Sequence, residues 1–137
     1  MTNKFVVDTN VVISAVLVPY SIPAQALRQA RRVGIILQSQ ATLDELDRVL
    51  HRKKFDKYVS EIDRLEFLAK FATKAQLVEI RHTITICRDP RDNKFLELAL
   101  SGDATLIMSG DLDLLTLSPF QNINIITPSQ FLADYPT

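Results

Sequence analysis

Four acidic residues lie where the chain is expected to leave a buried strand or to begin the helix that follows one. Asp8 follows an apolar run near the start, and Glu45 is expected in the first turn of a helix that follows the next strand. Asp92, preceded by Asp89, opens another helix, and Asp111 follows a Ser-Gly turn. Gathered carboxylates repel one another unless a cation neutralises them. Mg²⁺ and Mn²⁺ prefer oxygen ligands and can activate water, so hydrolysis of a phosphodiester is the chemistry that these residues predict.

The elements that must position these acids alternate between short apolar strands and amphipathic helices. Strands are predicted in KFVV, IILQS, ATLIMS, NINIIT and either LVEI or ITI. Helices are predicted in NVVISAVL, IPAQALRQARR, TLDELDRVLHRKKF, SEIDRLEFLAKFATKA, DPRDNKFLELALSG and PSQFLADY. This alternation indicates a parallel sheet covered by helices on both faces. Ligands bind beyond the carboxyl ends of the strands in such sheets, which is where the acids are expected.

Helix capping is the competing explanation for each acid. Asp8, Asp89 and Asp111 each precede a predicted helix and suit an N-cap, and Thr42 with Glu45 has the spacing of a capping box. Both interpretations stay open for each residue taken alone. The repeated placement of acids after successive strands is harder to explain by capping, although helix starts attract acids generally.

Composition is typical of an ordinary globular protein. The 137 residues suit one domain spanning 1–137, and 16 basic residues balance 16 acidic ones, so only local patches could attract a phosphate backbone. No apolar run approaches the length of a membrane helix, and the start lacks the pattern of a signal peptide. The single cysteine, Cys87, is expected to be a small buried hydrophobe. We therefore expect a cytoplasmic protein without a membrane partner.

The main basic run is RVLHRKKFDK, at positions 48–57. It could contact RNA phosphates through Arg52, Lys53 and Lys54, but we favour a solvated helix end, where basic residues complement the helix dipole. The same applies to Arg28, Arg31 and Arg32. The two histidines, His51 and His82, are expected at the surface or in packing rather than as ligands. An aromatic and aliphatic group on one helix is expected in the core or at a subunit contact: Phe67, Leu68 and Phe71.

The ordered segments FVVDTNVVISAVL, TLDELDRVLHRKKF, CRDPRDNKFLELALSGDATLIMSGDLDLL and INIITPSQFL resemble those of PIN-domain proteins. The resemblance extends from Lys4 to about Leu132. It is greatest to VapC-like PIN proteins, the toxin components of type II toxin–antitoxin modules. No single motif is decisive, but the ordered set is specific.

The resemblance implies a three-layer α/β/α sandwich around a central parallel sheet of about five strands. It also implies an Mg²⁺- or Mn²⁺-dependent endoribonuclease whose catalytic acids are Asp8, Glu45, Asp92 and Asp111. Thr9 and Asn10 complete the DTN signature that begins at Asp8. The expected metal ligands are Asp8, Asp92 and Asp111, with Glu45 sharing a metal or orienting its water.

Two extra acids leave alternatives within this assignment. Asp89 precedes Asp92 and Asp113 follows Asp111, so either neighbour could be the ligand or a supporting residue. We prefer Asp92 and Asp111. Further support is expected from Ser109 and Asn10, by hydrogen bonds to a carboxylate or to a metal-bound water.

The partners implied by the resemblance are an RNA substrate, a cognate antitoxin protein that lies across the active cleft, and a second copy of the chain in a homodimer. Two other functions stay open. One is a PIN-fold binding or regulatory module without catalysis, which the four intact acidic positions disfavour. The other is a metal-dependent nuclease or phosphohydrolase acting on DNA or another substrate, because the same carboxylates would serve either polymer and only contacts to a 2′-hydroxyl distinguish RNA from DNA.

Overall fold

A computed structural model describes residues 2–137. Five strands form one sheet: β1 (Asn3–Val7), β2 (Gly34–Gln38), β3 (Gln76–Leu77), β4 (Leu106–Met108) and β5 (Asn124–Ile126). Seven α-helices connect and cover them: α1 (Thr9–Leu17), α2 (Ile22–Val33), α3 (Gln40–Leu50), α4 (Glu61–Lys74), α5 (Asn93–Ser101), α6 (Leu112–Leu115) and α7 (Pro128–Asp134). Short 3-10 turns lie at Lys53–Phe55 and Pro90–Asp92.

All strand pairs are parallel, and the order across the sheet is β3-β2-β1-β4-β5. Alternate side chains of β1 enter different cores, because successive residues of a strand point to opposite faces. Phe5 and Val7 pack beneath α1, α2, α3, α4 and α7, whereas Val6 packs beneath α5 and α6. The predicted α/β/α sandwich with five parallel strands is confirmed.

The order of the strands reverses at β1, which pairs with β2 on one side and β4 on the other. The register places Val7 opposite Met108, so the residues after β1 and β4 emerge side by side. The backbone N–H of Asp8 donates to the carbonyl of Met108 at 2.9 Å, which fixes this juxtaposition. The crevice at such a reversal is the usual ligand site of a parallel α/β sheet.

Helix α1 forms although it is rich in β-branched residues, which are weak helix formers. Its buried side chains include Val11, Val12 and Ile13, and they pack in the core below the sheet face. Burial of this apolar face outweighs the small cost in propensity. Asp8 caps the helix by accepting the Asn10 backbone N–H at 3.2 Å.

Helix α3 corrects the prediction for the TLDELDRVLHRKKF segment. The helix begins at Gln40 and ends at Leu50, so the basic residues from position 52 onward lie beyond it. Ser39 is the N-cap, and its capping box is with Thr42: each side chain accepts the other's backbone N–H. Thr42 and Glu45 therefore do not form the capping box, and Glu45 lies in the second turn rather than the first.

The edge strand and two other details refine the sequence predictions. The strand is Gln76–Leu77, which touches the LVEI alternative only at Leu77, and the ITI segment is not a strand. The DPRDNKFLELALSG helix begins with the 3-10 turn, and Asp89 caps that turn. Cys87 is buried, as expected, and burial raises the pKa of its thiol to about 11.

Gly34, where α2 gives way to β2, has a steric reason to be glycine. An added Cβ would lie 2.5 Å from the Asn3 carbonyl oxygen and 2.7 Å from the Phe5 ring.

Within residues 2–137, no single helix is long and apolar enough to cross a membrane. The α1 and α2 pair would reach that length and composition together, but it is bent by 110°.

Candidate active site

The four predicted acids line one cavity of about 220 Å³ at the carboxyl edge of the sheet. They come from four separate parts of the chain. Asp8 follows β1, Glu45 is on α3, Asp92 precedes α5, and Asp111 follows β4. The cavity also takes in Asp89 and Asn10 from the supporting set, and three arginines: Arg48, Arg52 and Arg91. The fold thus brings together acids that are up to 103 positions apart (8 to 111).

Asp8 is held on both of its carboxylate oxygens. Its Oδ1 accepts the Asn10 N–H, and its Oδ2 accepts the Ser109 hydroxyl at 2.7 Å. The same Ser109 oxygen accepts the Asp111 backbone N–H at 3.0 Å. Ser109 is fully buried and Asp8 is 5% exposed. Ser109 therefore lies between two of the acids and hydrogen-bonds to both, to the carboxylate of Asp8 and to the backbone of Asp111.

Burial raises the pKa of Asp8, because the charged form is poorly solvated there. The Ser109 and Asn10 hydrogen bonds oppose that change, and the negative charges of Asp111 and Glu45 add to it. The balance is a carboxylate whose ionised form is less favourable than usual. A cation in the cavity would reverse this by supplying opposite charge.

Asp92 carries the most perturbed carboxyl of the site. Burial, and next the neighbouring Asp111, raise its pKa to about 7. Its Oδ2 is buried and has no hydrogen-bond partner among the described residues. Its side chain makes no capping bond to α5. An oxygen in this state lacks a positive or hydrogen-bonding partner, which a metal ion would provide.

Glu45 is tied to two residues on other elements. Thr9 Oγ1 donates to its Oε2 at 2.5 Å, and Lys94 Nζ lies 2.7 Å from its Oε1. The side chains of Glu45 and Lys94 are 15% and 18% exposed, so this ion pair is largely removed from water. Lys94 was not singled out from the sequence. Its position two residues after Asp92 was the only signal, and its pairing with Glu45 spans 49 positions.

The two extra acids, Asp89 and Asp113, differ from the preferred ones in their position or in their contacts. Asp89 lies in the cavity wall, but its carboxylate caps the 3-10 turn and pairs with Arg91, 2.9 Å from Nη2. These contacts with Arg91 lower the pKa of Asp89. Asp113 donates its backbone N–H to Asp111 Oδ1 at 2.9 Å, and its side chain is outside the residues that line the cavity.

Some of the predicted basic residues line the acidic cavity, and the others lie outside it. Arg52 lies in the cavity wall, and Arg48 from α3 lies beside it. Lys53 and Lys54 are exposed outside that wall, and Lys54 Nζ sits 5.2 Å from the Phe55 ring centroid. Arg28 and Arg32 line a separate hollow on α2, and Arg31 lies over the Phe71 ring.

The remaining singled-out residues behave as packing or surface groups. Phe71 is buried, and Phe67 and Leu68 pack against the same core. The His51 ring contacts Asp47 on its own helix, and His82 is exposed. Neither histidine lines the acidic cavity.

The donor set fits a hard divalent cation. It consists of carboxylates, one of which has an unpartnered buried oxygen, and the hydroxyl of Ser109 hydrogen-bonds to the carboxylate of Asp8 and to the backbone N–H of Asp111. In the described residues, no three His, Cys, Asp or Glu side chains are already close enough together to hold an ion. The carboxylates line one cavity, but their side chains would have to move closer together to bind one ion.

Comparison with known proteins identifies the family. A family model described as a PIN domain matches residues 4–113. The chain belongs to the PIN-domain family. An uncharacterized protein of Methanocaldococcus jannaschii is 32% identical over 142 residues, which cover 96% of this chain and 91% of that protein.

Solved structures agree on the PIN fold. VapBC2 from Rickettsia felis, bound to a DNA fragment from its promoter, matches with a TM-score of 0.63 and 12% identity, over 90% of this chain and 98% of that one. PAE2754 from Pyrobaculum aerophilum matches with a TM-score of 0.64 and 14% identity, over 97% of this chain and 89% of that one. DNA-bound VapBC from Salmonella typhimurium matches with a TM-score of 0.59 and 17% identity, over 93% of this chain and 99% of that one. The predicted resemblance to VapC-like PIN proteins is confirmed at the level of family and fold.

Proposed function

We propose that this PIN domain is a metal-dependent endoribonuclease and the toxin of a type II toxin–antitoxin module. The observation that carries the proposal is the shared cavity of Asp8, Glu45, Asp92 and Asp111, in which a buried oxygen of Asp92 has no partner in the described chain. The similarity to chains of VapBC complexes supports the toxin assignment. A cytoplasmic location, an antitoxin partner and a homodimer belong to the same proposal.

Asp8, Asp92 and Asp111 would hold Mg²⁺ or Mn²⁺ in this proposal. When bound, such an ion supplies an activated water and offsets charge on the leaving oxygen of the phosphodiester. Ser109 keeps Asp8 and the Asp111 backbone in fixed positions, which limits the rearrangement needed at the site. The cavity is lined mainly by charged and polar residues, which suits a phosphate group.

Glu45 has a role distinct from those three acids. Because Lys94 and Thr9 occupy its two oxygens, Glu45 is better placed to orient a water than to donate both oxygens to an ion. Arg48 and Arg52 face the same cavity and would attract the RNA phosphate to the otherwise acidic surface. Lys53 and Lys54, outside the cavity wall, would contribute less.

Cleavage of an RNA panel tests this function. Wild-type protein should cleave RNA in Mg²⁺ or Mn²⁺ and not in EDTA, and Asp8→Asn and Asp92→Asn should each lose at least about a hundredfold in rate. Glu66→Gln is a matched control, since Glu66 is an exposed carboxylate on α4 outside the cavity. Undiminished cleavage in both aspartate variants would remove the proposed site.

The same assay distinguishes the other functions. DNA of matching sequence, tested beside the RNA, decides between a ribonuclease and a DNA nuclease. Failure to cleave either polymer with both metals would leave a binding module. Growth arrest on expression, relieved by the product of an adjacent small gene, tests the toxin assignment, and light scattering of the purified chain tests the homodimer.

A further inference from the structure

A second cavity, of about 470 Å³, opens beside the acidic one. It lies where the starts of α1, α2 and α7 meet the loop that carries Asp111. The two cavities share Asn10 and Asp111 in their walls. A strand of nucleic acid with a phosphate at the acidic site would therefore place its next nucleotide at this second cavity.

The wall of this cavity is apolar and its edge is polar. The apolar part consists of Val11, Ile22, Pro23 and Pro128. The edge carries the side chains of Asn10, Ser14 and Ser129, which are exposed and make no hydrogen bond to another side chain or backbone group in residues 2–137. No lysine or arginine lines it. The cavity offers an apolar surface with free donors and acceptors around it, which suits a ligand with apolar faces and polar edges.

The sequence makes this surface rigid. Ser21 caps α2 by accepting the Ala24 N–H, and Thr127 caps α7 by accepting the Gln130 N–H. Each cap places a proline in the first turn, where the missing N–H costs no hydrogen bond. Gly110 lies in the cavity wall, and the space that a Cβ would occupy there is empty.

We propose that this cavity holds an unstacked nucleobase of the RNA, next to the phosphodiester at the acidic site. The inference rests on the proposed ribonuclease function. Single-stranded RNA is recognised by bases that splay out, pack on apolar or aromatic surfaces and form hydrogen bonds along their edges. The cavity has both features. Because it shares Asp111 with the acidic site, the base that it holds is the one beside the cleaved bond.

An apolar side chain of a protein partner is the competing occupant. Such a side chain would use the apolar wall but would leave the amide of Asn10 and the hydroxyls of Ser14 and Ser129 without a ligand partner. A phosphate group alone is disfavoured because the wall provides no cation. A base satisfies both the wall and its edge.

Ser14→Leu tests the proposal by filling the cavity. Ser14 is exposed on α1 and is outside the acidic cavity, and leucine is a better helix former than serine, so the variant should fold. Glu66→Leu is the matched control, because it adds the same leucine at an exposed helix position outside both cavities. Circular dichroism and thermal unfolding of both variants check that the fold is retained.

The substrates are one cleavable RNA and the same RNA with an abasic ribose beside the cleavage site. Wild type and Glu66→Leu should cleave the intact RNA about tenfold faster than the abasic RNA, which is within the range that the packing of one base contributes. Ser14→Leu should cleave both at the slower rate. Ser14→Leu that keeps the tenfold preference would overturn the base pocket while leaving the ribonuclease function intact. That result would favour the competing occupant of the cavity, an apolar side chain of a protein partner.

A binding measurement keeps the pocket testable if no RNA is cleaved. Fluorescence anisotropy with Asp8→Asn protein, which should not turn over substrate, compares affinity for the intact and abasic RNA. Tighter binding of the intact RNA, abolished by adding Ser14→Leu, supports the pocket even if the nuclease proposal fails. Equal affinity for the two RNAs overturns the pocket.

Discussion

Asp92→Asn should stabilise the metal-free protein while destroying its activity. The buried Asp92 Oδ2 has no partner in the described chain, and burial together with Asp111 raises the pKa of the carboxyl from 3.8 to about 7. The folded state therefore binds this proton more tightly than the unfolded state does. Its contribution to stability is full below pH 4 and is lost as the pH rises through 7. Asparagine resembles the protonated acid, and its amide can donate a hydrogen bond towards Asp111.

The size of this effect follows from the pKa. The interval from 3.8 to about 7 sets an upper limit of about 4 kcal/mol at pH 8. Asp92 is only partly buried, so solvent screening reduces the expected gain to about 1–2 kcal/mol. For a chain of this length, that corresponds to a rise in Tm of roughly 3–10 °C.

Thermal and urea unfolding in EDTA measure this gain at pH 8 and at pH 5. We expect Asp92→Asn to exceed wild type at pH 8, with a smaller difference at pH 5, where much of the wild-type Asp92 is protonated. Mg²⁺ should narrow the difference at pH 8, because it stabilises only the protein that binds it. Glu66→Gln should match wild type throughout. An Asp92→Asn variant less stable than wild type at pH 8 in EDTA would refute the argument that the site is strained by unbalanced charge.

Other predictions address the residues that hold the site together. Arg64→Met should cost about 3 kcal/mol in urea unfolding, because the buried Arg64 guanidinium donates to the Leu50 and Arg52 carbonyls. Lys94→Met should lower RNA cleavage more than tenfold, and a double-mutant cycle with Glu45→Gln should give a coupling of about 1–3 kcal/mol. Ser109→Ala should weaken Mn²⁺ binding about tenfold in calorimetry.

Element types and their order were predictable because hydrophobic period and cap residues are local signals. Buried runs at β1, β2 and β4 and amphipathic patterns at α2 and α4 matched the structure closely. The predicted start of α3 was wrong because Ser39 with Thr42 and Thr42 with Glu45 both have the spacing of a capping box. Ser39 is the N-cap and accepts the Thr42 N–H directly after the strand, so the helix begins three residues earlier than a Thr42 cap would place it.

Of the candidate site, the sequence predicted the acidic residues but not the contacts between them and other elements. Strand ends converge in any parallel sheet, so the placement of Asp8 and Asp111 at one edge followed from the strand pattern. The pairing of Lys94 with Glu45 joins α5 to α3 and depends on how two helices pack on opposite sides of that edge. No local pattern encodes such a contact. The second cavity is similar, because three helix starts from distant segments form its wall.

Capping and ligation are compatible roles for the same carboxylate, which is why sequence alone left them open. In both Asp8 and Asp111, Oδ1 accepts a hydrogen bond from the backbone N–H two residues ahead. That hydrogen bond fixes the carboxylate at the sheet edge and offsets part of its charge, so the cluster can persist without a cation. It leaves Oδ2 of Asp8 for Ser109. Asp92 makes no capping bond, and burial together with the neighbouring Asp111 raises its pKa to about 7. The caps therefore hold Asp8 and Asp111 in place, and in the proposed function the uncapped Asp92 is the acid that a bound cation would stabilise most.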